Sequence, residues 1–128
     1  MRTPLDRLMY TIVADDIEAT ADFYTDLIGL KRVFSSDWFI ALMPENGKSL
    51  EIGIIDRKSG NTPEAARNAA GGSYLTLIVE DVQAAKARAE ELGLDILQPP
   101  TPLPYGQTQM LLRDPAGTIV DISTPTAS

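Results

Sequence analysis

The sequence predicts an α+β fold: two paired βαβββ modules forming a cupped mixed β-sheet with the helices outside. Three observations carry this prediction. An apolar, β-rich run that stops at an acidic pair occurs twice, as MYTIVADD at 9–16 and YLTLIVED at 74–81. An amphipathic helical segment ending in a glycine follows each run. Each helix then leads to strand candidates, and a turn with glycine in the same place joins the last two.

The elements follow in order. Asp16 and Asp81, 65 residues apart, suit the N-cap position, where a side-chain oxygen takes orphan amide protons. The first helix places Ile17, Ala21, Tyr24 and Ile28 on one face; the second does so with Val82, Ala85, Ala89 and Leu92. Gly29 and Gly93 follow the last periodic residues, where a left-handed conformation ends a helix. Strands are expected at 30–35, WFIALM and SLEIGIID in the first module, and at 94–98, QTQMLLR and TIVDIS in the second. Module one spans 8–56, a linker 57–72 and module two 73–123, all within a single domain over 1–128. The linker carries one expected helical turn at PEAARNA. PPTPLPYG at 99–106 reads as a stiff loop, and TPTAS at 124–128 as a frayed tail.

Composition removes several chemistries. The chain has 128 residues, enough for one ordinary core, and contains neither cysteine nor histidine. Disulfides, thiolate metal sites and histidine-based nucleophilic catalysis are therefore excluded, and so is the commonest ligand of zinc or non-haem iron. A formal charge of −7 and a pI of about 4.4 disfavour nucleic acid as a partner. No apolar run has membrane-spanning length, and the start MRTPLDRLMYTIVADD has no apolar leader core, so the expected location is the cytoplasm.

Strand alternation identifies the face away from the helices. Ile12, Leu77, Ile52 and Val120 share the parity of their helix-packing neighbours, which sends Met9, Glu51, Tyr74 and Asp121 to the opposite side. Carboxylates on that parity point to a concave, partly wet surface. Glu51 and Asp121 read as ligand acceptors, as a general acid/base pair, or as solvated strand residues beside a lysine or arginine. Phe34, Trp38, Phe39, Tyr74 and Tyr105 are candidates for a stacking wall, with core packing as the competing reading. Trp38 and Phe39, adjacent in an expected strand, should face opposite ways, and Tyr105 should tip the rim formed by 99–106. Met9, Met43 and Met110 are candidates for the pocket wall or for core filling.

Three motifs carry a resemblance. IVADDIEATADFYTDLIGL, VEDVQAAKARAEELGL and LLRDPAGTIVDI resemble the signature segments of the vicinal oxygen chelate superfamily, which includes glyoxalase I, bleomycin-resistance proteins and extradiol dioxygenases. The resemblance covers nearly the whole chain. It implies the paired-module fold, a homodimer, and a divalent metal held by one residue of the first strand and one carboxylate of the last strand in each module. Those positions are Met9, Glu51, Tyr74 and Asp121, so methionine and tyrosine stand where histidine is common. A thioether is a soft ligand and a phenol must first lose its proton, so neither suits the usual metals. The expectation is a small-molecule binder of the bleomycin-resistance type, with no metal and no cofactor. Its ligand-binding residues are Met9, Trp38, Phe39, Tyr74, Tyr105 and Met110. The alternative is a lyase, isomerase or dioxygenase-like enzyme that uses Glu51 and Asp121 as catalytic residues, with or without a weakly held metal.

Overall fold

The computed structural model describes residues 2, 4–47, 50–68 and 71–126. The chain divides into two compact units, residues 1–69 and 70–128. In the first unit, β1 (Met9–Ala14) leads into α1 (Ile17–Ile28), followed by β2 (Lys31–Ser35), β3 (Phe39–Met43), β4 (Glu51–Asp56) and a single turn, α2 (Glu64–Arg67). The second unit contains β5 (Leu75–Ile78), α3 (Val82–Glu91), β6 (Ile96–Pro102), β7 (Gln107–Arg113) and β8 (Ile119–Pro125). Each unit has one four-stranded sheet, ordered β1-β4-β3-β2 in the first and β5-β8-β7-β6 in the second. The outer pairs β1/β4 and β5/β8 are parallel and the rest antiparallel, which makes both sheets mixed.

Local sequence explains where the helices start and stop. Asp16 accepts the amide of Ala19 at 3.0 Å, and Asp81 accepts those of Gln83 and Ala84 at 2.9 and 3.3 Å. Gly29 ends α1 in the left-handed region at φ 75°, which a side chain would disfavour. Helix α1 buries Ile17, Thr20, Ala21, Phe23, Tyr24 and Leu27; Tyr24 is fully enclosed. The helix packs on β3 and β4, whose alternate positions Ile40, Leu42, Ile52 and Ile54 are free of solvent. In the second unit α3 packs on the face carrying Met110, Leu112, Val120 and Ile122, each fully buried. Burial of each such side chain stabilises the fold by about 1.5–3 kcal/mol before entropy is subtracted. Because α3 has so narrow an apolar contact, its cap matters: Asp81→Ala should lower stability by about 1 kcal/mol in urea denaturation.

Three boundaries differ from expectation. Strand β6 continues through Pro99 and Pro100 to Pro102, so the stiff loop shrinks to a turn over 103–106. Prolines are tolerated there because β6 is an edge strand with register shifts, and a proline can turn its missing donor outward. Strand β8 likewise takes in Thr124 and Pro125, and Thr126 donates its amide to the Gly106 carbonyl at 2.8 Å, so the expected tail is ordered at least that far. Residues 127 and 128 of that tail, residues 69 and 70 of the linker, and Ser49 of the expected SLEIGIID strand lie outside the described residues. Finally, Trp38 precedes β3. It sits in a bend where Ser36 Oγ accepts the amides of Trp38 and Phe39 at 3.3 and 3.1 Å.

Candidate functional site

The face of each sheet away from its helix, called the inner face below, carries Met9, Glu51 and Phe39 in the first unit and Asp121 in the second. In the first sheet Met9 is in register with Glu51, Thr11 with Gly53, and Val13 with Ile55. Phe39, opposite Ile55, and Ala41, opposite Gly53, share this face, and so does Phe34, opposite Ala41. Gly53 makes the floor. A Cβ built on it would lie 2.9 Å from Cζ of Phe39 and 3.0 Å from Sδ of Met9, so ring and thioether both lie over bare backbone.

The aromatic side chains gather at the β2–β3 hairpin. The ring of Phe39 lies 6.4 Å from that of Phe34 and 5.8 Å from that of Trp38, centroid to centroid, each tilted by 46°. Strand alternation would separate Trp38 from Phe39. The bend at 37–38 suspends that rule, and the two rings join one cluster. Phe34 remains 54% exposed and Trp38 36%.

Glu51 is paired. Arg7, just before β1, donates Nε to Glu51 Oε2 at 3.1 Å and Nη2 to Oε1. That hydrogen bond, followed by the carboxylate's charge, raises the Arg7 pKa above its ordinary value. Glu51 is thus a strand carboxylate with an arginine beside it.

Asp121 has a different environment. It is 4% exposed, and its oxygens accept from Gln109 Nε2 at 2.9 Å, Thr76 Oγ1 at 3.3 Å and Ser123 Oγ. Gln98 extends the chain by donating Nε2 to the carbonyl and Oε1 of Gln109, both at 3.2 Å. Thr76, Asp121, Gln109 and Gln98 thus form a polar band across β5, β8, β7 and β6. Among the described residues no lysine or arginine pairs with Asp121; neutral donors satisfy it.

Two expected correspondences need correction. Asp121 is the partner of Thr76, not of Tyr74, which precedes β5 and is 58% exposed. Comparing strand pairs, Thr11–Gly53 answers Thr76–Asp121, so Gly53 rather than Glu51 occupies the place of Asp121. The reason is turn length: nine residues separate Leu42 from its partner Ile52, and seven separate Leu112 from Val120. Met110, expected on the pocket wall, pairs with Ile122 on the helix side and is fully buried, since the neighbouring Gln109 takes the inner parity. Tyr105 stands at the 103–106 turn, 69% exposed.

The donor set does not fit a divalent metal. Both oxygens of Glu51 are held by Arg7, and both of Asp121 by amide and hydroxyl donors. Among the described residues no group of three or more histidine, cysteine, aspartate or glutamate residues is placed to hold an ion.

A family model for the Glyoxalase/Bleomycin resistance protein/Dioxygenase superfamily matches residues 5–122. The chain belongs to this superfamily. Its two mixed four-stranded sheets with helices on one face are the fold of that group. Lactoylglutathione lyase from Agrobacterium tumefaciens is similar over 96% of both chains, at 23% identity and a TM-score of 0.74. TnmS3, an antibiotic binding protein from Streptomyces, is similar over 98% of this chain and 100% of its own, at 22% identity and a TM-score of 0.74. A superfamily member from Nocardioides reaches a TM-score of 0.75 at 18% identity, over 100% of this chain and 88% of its own. At these identities the likeness shows the fold. No curated protein matches the sequence significantly. Among the described residues no helix is long and apolar enough to cross a membrane.

Proposed function

We propose that this superfamily member is a metal-independent small-molecule-binding protein that takes an aromatic ligand on the inner face of its first sheet. The observation that carries this reading is the cluster of Phe34, Trp38 and Phe39, three tilted rings left partly exposed, with Phe39 over the Gly53 floor. Rings at the surface of a small acidic protein offer stacking area that the core does not consume. The same fold serves an antibiotic binding protein, so it is compatible with this role. Commitment of both carboxylates to protein donors supports metal independence and weighs against the catalytic alternative, which needs Glu51 or Asp121 free. In the same reading the protein is a cytoplasmic homodimer, the state the family resemblance implies, and light scattering tests the dimer.

Trp38 is the only tryptophan, so its fluorescence reports on the cluster. Titration with a panel of aromatic compounds should quench it saturably. Phe34→Ala should weaken the best of them about tenfold, the scale of one stacking contact, with the fold intact because Phe34 is exposed. Elemental analysis of the same preparation should find no stoichiometric metal. About one equivalent of zinc, nickel, manganese or iron, lost in Glu51→Ala, would overturn metal independence.

A further inference from the structure

Residues 4–8 form neither helix nor strand, and all five are exposed; Leu5 and Leu8 are 79% and 66% exposed. From this loose stretch Arg7 holds both oxygens of Glu51. The partners differ sharply in surroundings: the Arg7 side chain is 69% exposed and that of Glu51 only 13%. The carboxylate belongs to the sheet, and the guanidinium reaches it from outside.

We propose that Arg7 is an internal stand-in for a cationic ligand. Glu51 and the Phe39 ring over Gly53 form a subsite for an aryl-linked organic cation, and Arg7 fills it until the ligand displaces it. This rests on the reading of the inner face as a ligand site and names the ligand class. Gly53, under the Phe39 ring and the Met9 sulfur, lies two residues along β4 from Glu51, a step of about 7 Å. A planar amidinium or guanidinium joined to an aromatic ring spans such a step. It reproduces the two-pronged pairing that Arg7 makes, and it gains the face of a ring beside it. A carboxylate largely withdrawn from water needs a cation, so exchange of one cation for another is favoured over leaving Glu51 bare. Displacing Arg7 moves a stretch whose residues 4–8 are all exposed and belong to no helix or strand. The net charge of −7 draws cations toward the surface.

The test titrates benzamidinium and benzoate, matched in shape and opposite in charge, against the full chain and its Arg7→Gln and Arg7→Lys variants, read by Trp38 quenching. Arg7→Gln should bind benzamidinium about tenfold or more tightly than the parent and should bind benzoate no better. Arg7→Lys, which keeps a competing cation, should stay near the parent. Equal benzamidinium affinity in parent and Arg7→Gln, no benzamidinium binding by Arg7→Gln, or a gain for benzoate instead would overturn the proposal. Loss of aromatic binding in Phe34→Ala with no effect of Arg7→Gln would leave the binder reading standing and remove the stand-in. The opposite pattern would keep the cation subsite and remove the Phe34 wall.

Discussion

Asp121→Ala is expected to destabilise the protein by about 2–5 kcal/mol, because it strips the acceptor from a buried band of donors. The Gln109 amide and Ser123 hydroxyl, 9% and 2% exposed, lose their common partner where water does not replace it. Each such orphan costs about 1–3 kcal/mol. Thr76 is exposed and re-forms its bond with solvent, so it adds little. Asp121→Asn keeps the shape and one acceptor oxygen but turns an N–H toward another donor, so its loss should be intermediate. Urea denaturation with and without a chelator reads the result. A structural band predicts the same loss in both conditions, whereas a metal ligand predicts a loss that vanishes once the parent is stripped. A change below about 1 kcal/mol would show that the band does not hold the sheet.

The regular elements were legible because their signals are local. Asp16 and Asp81 cap the helices their spacing implied, and Gly29 ends the first where its freedom is needed. Face assignment was legible where strands are regular: the alternation of Ile52, Gly53 and Ile54, or of Val120, Asp121 and Ile122, needs only a period of two. It misled wherever the backbone left that period. Trp38 lies in a bend, so parity could not place it. Met110 was separable from the inner face by parity alone, since Gln107 and Gln109 hold the opposite parity of the same strand. The Glu51–Asp121 correspondence failed because aligned turn glycines do not measure the length of the turn. Arg7 and Gln109 left no signal in spacing. One reaches back from an irregular stretch, and the other is recognisable only as an amide on the same parity as a carboxylate.

Gly53→Ala should separate stability from binding. On propensity alone the change is favourable by about 0.5–1 kcal/mol, since a strand glycine gives up more chain entropy than alanine. Against this stands a methyl group built 2.9 Å from Phe39 Cζ and 3.0 Å from Met9 Sδ, closer than van der Waals contact allows. Both atoms are outer parts of side chains that are not fully buried, so they can swing aside without moving backbone. The two effects nearly cancel, and net stability should change by less than about 1 kcal/mol. Binding has no such escape. The Phe39 ring must leave the floor, and with it goes the arrangement that sets Phe34 and Trp38 at 6.4 and 5.8 Å. Aromatic-ligand affinity should fall tenfold or more, about 1.4 kcal/mol or above, with a changed near-ultraviolet circular dichroism from the displaced rings. Gly53→Val, with two further methyl groups, should deepen the binding loss and add a stability loss of about 1–3 kcal/mol. Unchanged affinity in Gly53→Ala would mean that the ligand does not use the Phe39 ring as held over Gly53, and the stacking platform would have to be sought elsewhere on the chain.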